Sequence, residues 1–262
     1  MSSFPWIRDC WNYVLSLTYL GHSAIHFEVK GINIYVDPYL RDPVDWSKLA
    51  KGHVVLFSHG HFDHGAQLAA DLYDSWNCSF IAPPQLVKWM KRKFKSRIPE
   101  EAFSSLEPGQ HAYCGDVKIS AIPAHHPINR LGKTLMTIFA RSSAPGKPVN
   151  GYFFEGYYHA GATIYCDSIL QALSKFDVHT ACLPIGGKYA IASPAEALRL
   201  AEGIGARRLV PMHWQPLLDQ VFFRYQPSDL LRMAREDNSG IEIRALAIGE
   251  NLALPELLCD QK

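Results

Sequence analysis

Residues 54–64 read Val-Val-Leu-Phe-Ser-His-Gly-His-Phe-Asp-His, an apolar run that passes directly into a group of potential metal ligands. The apolar part, 54–57, is typical of a strand buried on both faces of a sheet. His59 and His61 are two residues apart, a spacing that would point them to opposite sides of a helix but lets them converge on an extended turn. Imidazole nitrogens together with the Asp63 carboxylate suit zinc, with iron or manganese as alternatives. The stretch therefore predicts a metal site at the end of a buried strand.

Histidines also follow two other predicted strands. His125 and His126 come after the strand predicted at 117–122, and His213 comes after the strand predicted at 208–212. A lone histidine in such a place is more often a structural residue, and a histidine-rich turn is often an ordinary surface turn. Three separated segments that each end in histidine are what a metal site at one edge of a sheet requires. Together they favour ligands over structural residues.

The rest of the chain shows β-prone runs first and alternating helices and strands afterwards. Strands are predicted at 13–20, 24–29, 32–36, 54–57, 117–122, 135–140, 151–154, 180–183, 208–212 and 241–247. Helices are predicted at 65–73, 84–94, 168–175, 195–203 and 228–235, the fourth opened by a Ser193 cap and Pro194. This order indicates an α/β (α+β) fold in which sheets pack together with helices outside. A chain of 262 residues can bury its core as one unit, so a single domain over 1–262 is the simplest interpretation.

The composition is that of an ordinary soluble protein. Hydrophobic residues make up 48% and charged residues 19%, and the formal charge is +1, so no polyanion-binding surface and no nucleic-acid partner are expected. The six cysteines are scattered, which indicates reduced thiols and a cytoplasmic location. The apolar run at 13–20 is too short for a membrane span. The sequence carries no signal for an oligomeric state.

The run from His59 to His64 resembles the signature of the metallo-β-lactamase superfamily, and this resemblance implies a four-layer αβ/βα sandwich over roughly residues 17–225. Further motifs are similar to one branch, which holds ascorbate-6-phosphate lactonase-like proteins and N-acylphosphatidylethanolamine phospholipase D. Those motifs are Tyr19-Leu20-Gly21-His22-Ser23-Ala24, Asp37-Pro38, Leu183-Pro184-Ile185-Gly186-Gly187 and Pro211-Met212-His213-Trp214.

The same resemblance implies up to two zinc ions. The ligands carried over by position are His59, His61 and His126 for the first ion and Asp63, His64 and His213 for the second. Asp63 would also be the catalytic residue, orienting the nucleophile or accepting its proton.

Other residues are expected near the ligands without binding a metal. The family pattern Pro-Ala-any-His selects His126 as the ligand, so His125 would line the pocket. Asp37 resembles a carboxylate that orients a ligand imidazole. His22 is expected to be structural or to support a ligand, and His159 to adjoin the site.

One expected ligand is missing from this sequence. The family has an aspartate that bridges both metals in the context Tyr-His-Ala-Gly-Asp-Thr, whereas this chain has Ala162 at that place. A rival register would use Asp167, but it shortens the next helix. Two divalent cations about 3.5–4 Å apart repel each other, and a bridging carboxylate offsets that repulsion. We therefore expect the second site to be weak or empty and hydrolysis to be impaired. A substitution made to trap a substrate complex accounts for Ala162 more simply than a natural pseudoenzyme does.

Three functions are compatible with this pattern. The first is a metal-dependent hydrolase that attacks a small ester, lactone or similar substrate with metal-bound hydroxide. The second is a phosphodiesterase of the phospholipase D-like type, with an apolar entrance built from Trp89, Met90, Phe94, Phe222, Phe223 and Tyr225, residues whose alternative role is core packing. The third is a non-catalytic ligand-binding protein, which Ala162 favours. In each case the partner is a small molecule, and Lys188, on a glycine-rich loop, either meets an anionic group or is simply solvated.

Overall fold

Two seven-stranded β-sheets pack face to face in the computed structural model, which describes residues 15–39, 45–127, 144–187, 191–214 and 224–254. The strands, in chain order, are β1 Leu15–Gly21, β2 Ala24–Val29, β3 Ile32–Val36, β4 Val54–Leu56, β5 Ser79–Ala82, β6 Phe103–Ser105, β7 His111–Cys114, β8 Val117–Pro123, β9 Asn150–Phe154, β10 Tyr157–His159, β11 Thr180–Pro184, β12 Arg208–Met212, β13 Glu242–Ile243 and β14 Asn251–Leu254. The α-helices are α1 Ala69–Trp76, α2 Pro84–Lys93, α3 Asp167–Leu173, α4 Pro194–Gly203 and α5 Pro227–Glu236. Short 3₁₀ turns lie at Trp46–Lys48, Phe62–His64, Ala66–Leu68 and Glu100–Ala102.

Both sheets follow the same plan. The first sheet has the order β14-β1-β2-β3-β4-β5-β6, antiparallel as far as β3 and parallel from β3 to β6. The second sheet has the order β13-β12-β11-β10-β9-β8-β7, antiparallel from β7 to β10 and parallel from β10 to β13. Because the carboxyl ends of parallel strands lie at one edge of a sheet, the loops after β11 and β12 leave the same edge of the second sheet. The loop after β4 leaves the first sheet, which packs against the second.

The core is arranged in layers. Phe27 of the first sheet lies edge-on to Phe154 of the second, with ring centroids 5.0 Å apart, so the inner faces of the two sheets share one apolar core. Buried Leu86 and Met90 of α2 pack on the outer face of the first sheet. Ile169 of α3, together with residues of α4 and α5, extends the core beyond the second sheet. The molecule is thus a four-layer αβ/βα sandwich, and the predicted fold class is confirmed.

Several predicted elements match the structure closely. The strands at 24–29, 32–36 and 208–212 have the predicted bounds. Ser193 caps α4 through a capping box with Glu196, and Pro194 occupies the first turn.

Other predicted elements differ from the structure. The helix predicted at 65–73 is replaced by a 3₁₀ turn followed by α1, because Gly65 has a left-handed backbone (φ +81°) that ends the preceding turn. The strand predicted at 241–247 contains only two paired residues. Strands β5, β6, β7, β10 and β14 were not predicted, since each is three or four residues long and too short for a periodic pattern. The predicted strand at 135–140 lies outside the described residues.

Among the described residues, none of the helices combines the length and the apolar character that a membrane crossing requires.

Candidate metal centre

The ligand-rich turn begins immediately after β4. His61 has extended backbone (φ −63°, ψ 150°), and the 3₁₀ turn Phe62–His64 then places Asp63 and His64 next to His59 and His61 in the chain. Gly65 ends this turn, and a Cβ atom there would lie 2.7 Å from the carbonyl oxygen of Pro38, so only glycine fits. The turn divides its four candidate ligands between two neighbouring clusters.

The first cluster consists of His59, His61 and His126, whose candidate ligand nitrogens all lie within 4.8 Å of one another. His59 Nε2 is 2.7 Å from His61 Nδ1. The ring centroids of His59 and His126 are 5.3 Å apart, and those of His61 and His126 are 5.2 Å apart. His126 is buried in the loop that follows β8. The structure therefore brings together two segments that are separated by more than sixty residues in the sequence.

The second cluster consists of His22, Asp63, His64 and His213, all buried, with candidate ligand atoms within 4.8 Å of one another. His213 Nε2 is 3.3 Å from His64 Nε2, and His22 Nε2 is 3.1 Å from Asp63 Oδ2. The backbone N–H of His213 donates to the carbonyl of His22 at 2.8 Å, which joins the loop after β12 to the turn between β1 and β2.

The donor set fits transition-metal ions. Zinc binds imidazole nitrogen at about 2.0–2.1 Å, so two nitrogens on one tetrahedral ion lie roughly 3.4 Å apart. The 3.3 Å separation between His64 and His213 is close to that value. In addition, Asp63 Oδ1 is buried and makes no hydrogen bond in the described structure, which leaves an acceptor oxygen facing the cluster. Nitrogen and carboxylate oxygen donors at these distances can hold zinc, iron or manganese.

Burial keeps most of the histidines neutral. It lowers the pKa of His59 and of His213 well below the ordinary value, and it lowers the pKa of His61 to about 3. Neutral imidazole is the form that offers a lone pair to a metal ion. These three side chains are therefore ready to bind a cation at neutral pH.

Asp63 supplies the negative charge of the two clusters. Burial raises its pKa, but the hydrogen bond from His22 and the nearby imidazoles outweigh burial and hold the pKa well below its usual range. Asp63 is therefore a carboxylate at neutral pH.

Asp37 and Ser58 connect the two clusters. Asp37 Oδ1 accepts from the Ser58 backbone N–H at 2.7 Å, and Asp37 Oδ2 accepts from the Ser58 hydroxyl at 2.6 Å and from His64 Nδ1 at 2.7 Å. The Ser58 hydroxyl oxygen in turn accepts from His59 Nδ1 at 3.0 Å. These bonds leave the Nε2 atoms of His59 and His64 to point into the clusters. Burial lowers the pKa of His64, yet the adjacent Asp37 carboxylate raises it more.

The sequence prediction includes Asp37 but not Ser58. Ser58 could have been identified from its position, because it is a hydroxyl residue between a buried strand and the candidate ligand His59. His22 also lies closer to the centre than expected, since its ring is part of the second cluster and its centroid is 3.8 Å from that of His213.

The other predicted site residues occupy different positions. His159 is buried, with Nε2 donating to the Ser23 carbonyl at 2.9 Å and Nδ1 accepting from the Gly161 N–H at 3.1 Å, so both ring nitrogens are engaged. His125 is exposed, and its backbone is hydrogen-bonded to Thr163. Ala162 is fully buried, whereas Asp167 is exposed at the start of α3. Lys188 lies outside the described residues.

Three of the residues proposed for the apolar entrance lie in the core instead. Trp89, Met90 and Phe94 are buried in the core between the first sheet and α2, so they pack the fold as the alternative interpretation had it. Tyr225 lies against Gly187, and Phe222 and Phe223 lie outside the described residues.

Comparison with known proteins identifies the family. The sequence model described as beta-lactamase superfamily domain matches residues 16–213. A protein named UPF0173 metal-dependent hydrolase from Rubrobacter xylanophilus is 29% identical over 247 residues, which cover 90% of this chain and 95% of that protein. A metallo hydrolase from Ignicoccus hospitalis has a similar structure, with a TM-score of 0.74, 22% identity, and coverage of 93% of this chain and 99% of that chain. An isothiocyanate hydrolase from Delia radicum gut bacteria shares the fold with a TM-score of 0.67, 16% identity, and coverage of 91% and 98%.

Proposed function

This chain is a metal-dependent hydrolase of the beta-lactamase superfamily, and on that premise we propose that it cleaves a small ester or lactone with zinc held by the two clusters. The observation that carries the proposal is the convergence of three distant histidine-bearing segments on one edge of the sandwich. His59, His61 and His126 would hold the first ion, and Asp63, His64 and His213 the second. His22 joins the second group because its ring lies among those ligand atoms.

The chemistry follows from what such ions do when bound: they supply a nucleophile from water at neutral pH and polarise the bond to be cleaved. Asp63 stays ionised in the buried site, so its free oxygen can orient the nucleophile or accept its proton. Asp37 and Ser58 hold His59 and His64 in fixed orientations, which spares the site from reorganising during the reaction. His125 is exposed and directly precedes the proposed ligand His126, and it would contact the substrate.

The proposal includes an impaired second site. Ala162 is buried between Gly161, which packs on Ser58, and Thr163, which is bonded to His125. This position favours the register in which Ala162 replaces the bridging aspartate, and the exposed Asp167 at the start of α3 supports it further. Without that carboxylate, Asp63 alone carries negative charge among the proposed ligands, so a second cation is held weakly.

Ala162 also favours a second candidate function. A chain that keeps the ligands of one ion but lacks the bridging carboxylate could bind a small molecule without cleaving it.

The lactonase-like or phospholipase D-like branch and a cytoplasmic location belong to the proposal as well. The free thiols of Cys78, Cys114, Cys166 and Cys182 are in keeping with a reducing compartment.

The test is to restore the carboxylate. Ala162→Asp should raise the zinc content toward two ions per chain and increase hydrolysis by about 100-fold, because changes to groups that merely orient ligands already alter affinity or activity by about 10–100-fold. Elemental analysis measures the zinc, and a panel of lactones and simple esters, with a bis-aryl phosphodiester alongside, measures the activity.

Ala195→Asp is the matched control, since Ala195 is exposed in the first turn of α4 and is not one of the proposed ligands. It should change neither quantity. Equal zinc content in all three proteins would contradict the role of Ala162. Turnover of the phosphodiester alone would replace the lactone proposal, and restored metal without any hydrolysis would support the binding function.

A further inference from the structure

Residues 161–164 join the two chain segments that carry the first cluster. On one side, Gly161 packs on Ser58, the residue directly before His59. A Cβ atom on Gly161 would lie 2.7 Å from Ser58 Cβ and 2.9 Å from the Asn150 carbonyl oxygen, and the backbone there has a φ of +62°. This close contact fixes one end of the segment against the ligand-rich turn.

On the other side, Thr163 and Ile164 hold the segment of His126. The backbone N–H of His125 donates to the Thr163 hydroxyl oxygen at 2.9 Å, and the backbone N–H of Ile164 donates to the His125 carbonyl at 2.9 Å. The Thr163 hydroxyl donates to the Ile164 carbonyl at 2.9 Å, which turns its oxygen toward the His125 N–H. His126 follows directly, so its backbone position depends on these bonds.

The Thr163 backbone is itself fixed from outside the site. The backbone N–H of Ala192 donates to the Thr163 carbonyl at 2.8 Å, and Ala192 accepts from Gly187 at 3.0 Å. Thr163 is thus held independently of the histidines that it supports. The first cluster draws its nitrogens from two segments only, and residues 161–164 contact both of them.

We propose that Thr163 is a positioning residue that holds His126 opposite His59 and thereby sets the metal affinity of the first cluster. The role rests on the proposed function, because it concerns the same metal site. This positioning role does not require a carboxylate at position 162, because it depends on the hydroxyl and the backbone of Thr163. The side-chain hydrogen bonds of Thr163 go to His125 and Ile164, which belong to no segment of the second cluster, so the second cluster should not depend on Thr163.

The experiment measures zinc affinity by competition with a chromophoric chelator in proteins that retain one cluster. His213→Ala removes a ligand of the second cluster and leaves the first cluster complete. His126→Ala removes a ligand of the first cluster and leaves the second cluster complete. Thr163→Val, which removes the hydroxyl at nearly constant volume, should weaken zinc binding by about 10–100-fold in the His213→Ala protein, the usual effect of removing a group that orients a ligand. It should leave zinc affinity unchanged in the His126→Ala protein.

Two further variants keep the test decisive. Thr163→Ser retains the hydroxyl and should restore the affinity. Thr180→Val is the matched control, because Thr180 is fully buried and its hydroxyl has no hydrogen-bond partner within the described structure, so zinc affinity should not change. Unchanged affinity in the His213→Ala protein, or equal losses in both proteins, would overturn the inference. If neither parent protein binds zinc before Thr163 is altered, the proposed function itself is rejected, and this inference with it.

Discussion

The first and second clusters lie side by side but differ in charge and in the way they are held. The first offers three nitrogens from two segments, whereas the second offers three nitrogens and the Asp63 carboxylate from three segments. The ligand-rich turn contributes to both, and the Asp37–Ser58 pair bonds to one histidine in each. Substitution of a ligand that belongs to one cluster should therefore change the metal affinity of that cluster alone. Substitution of Asp37 or Ser58 should change the metal affinity of both clusters.

The largest selective effect is expected from Asp63→Asn. Loss of the carboxylate removes the negative charge of the second cluster, so its zinc affinity and the rate of hydrolysis should both fall by more than about 100-fold, beyond the effect of a merely orienting group. Zinc binding at the first cluster should persist. Isothermal titration with zinc, together with elemental analysis, distinguishes the two clusters.

Asp167→Asn is the control for this change, because Asp167 is exposed at the start of α3. It should leave zinc content and activity unchanged. A comparable loss in both variants would mean that Asp167 is the bridging carboxylate, and the Ala162 register would be wrong.

An intermediate effect on both clusters is expected from Asp37→Asn. The amide cannot stabilise His64 as the carboxylate does, and its altered hydrogen bonding disturbs Ser58 and through it His59. Zinc affinity should fall by about 10–100-fold at each cluster. Measurements in the His126→Ala and His213→Ala proteins would report the clusters separately. Asp116→Asn, in the exposed turn after β7, is the control and should not change zinc affinity. If Asp37→Asn lowered the zinc affinity of one cluster only, Asp37 would not support both clusters.

An effect on stability, and none on zinc affinity, is expected in the pH dependence of the metal-free protein. The pKa of His61 is lowered from 6.5 to about 3 by burial, so below pH 6.5 the unfolded chain binds a proton that the folded chain does not. The free energy of unfolding should therefore fall as the pH drops from 6.5 toward 3, by about 1.4 kcal/mol per pH unit for one such histidine. His64 has the opposite sign, since its raised pKa stabilises the fold at low pH and that contribution is lost as the pH rises.

Urea unfolding at several pH values checks these signs. His61→Asn should flatten the slope between pH 6.5 and 3, whereas His64→Asn should leave that slope unchanged and remove only the loss of stability that His64 causes above pH 6.5. Stability that rises on acidification in the unaltered metal-free protein would contradict the neutral state of the first cluster.

Much of the candidate site could be predicted from local sequence. The spacing of His59, His61 and Asp63 after an apolar strand indicates an extended ligand turn, and this needs no tertiary information. The histidines after β8 and β12 follow the same logic, because the loops that carry them begin at the carboxyl ends of strands in one sheet. Strands of five or more residues with an apolar pattern were likewise found close to their true bounds.

The remaining features depended on contacts between distant segments. Short strands such as β6 and β10 exist because neighbouring strands pair with them, and three residues carry too little pattern to show this. The place of His22 in the second cluster required the His213 backbone to bond to its carbonyl across the two sheets. Ser58 and Thr163 act through hydrogen bonds to residues 21 and 38 positions away along the chain.

The sequence by itself determined the donor types, the sheet-edge location and the absence of an aspartate at position 162, because these follow from residue identity and from the period of buried strands. Only the tertiary structure decided how the ligands divide into two clusters and which side chains orient them. Ligand distances of a few ångströms depend on how the two sheets pack, and that packing is set by the whole core rather than by any one segment.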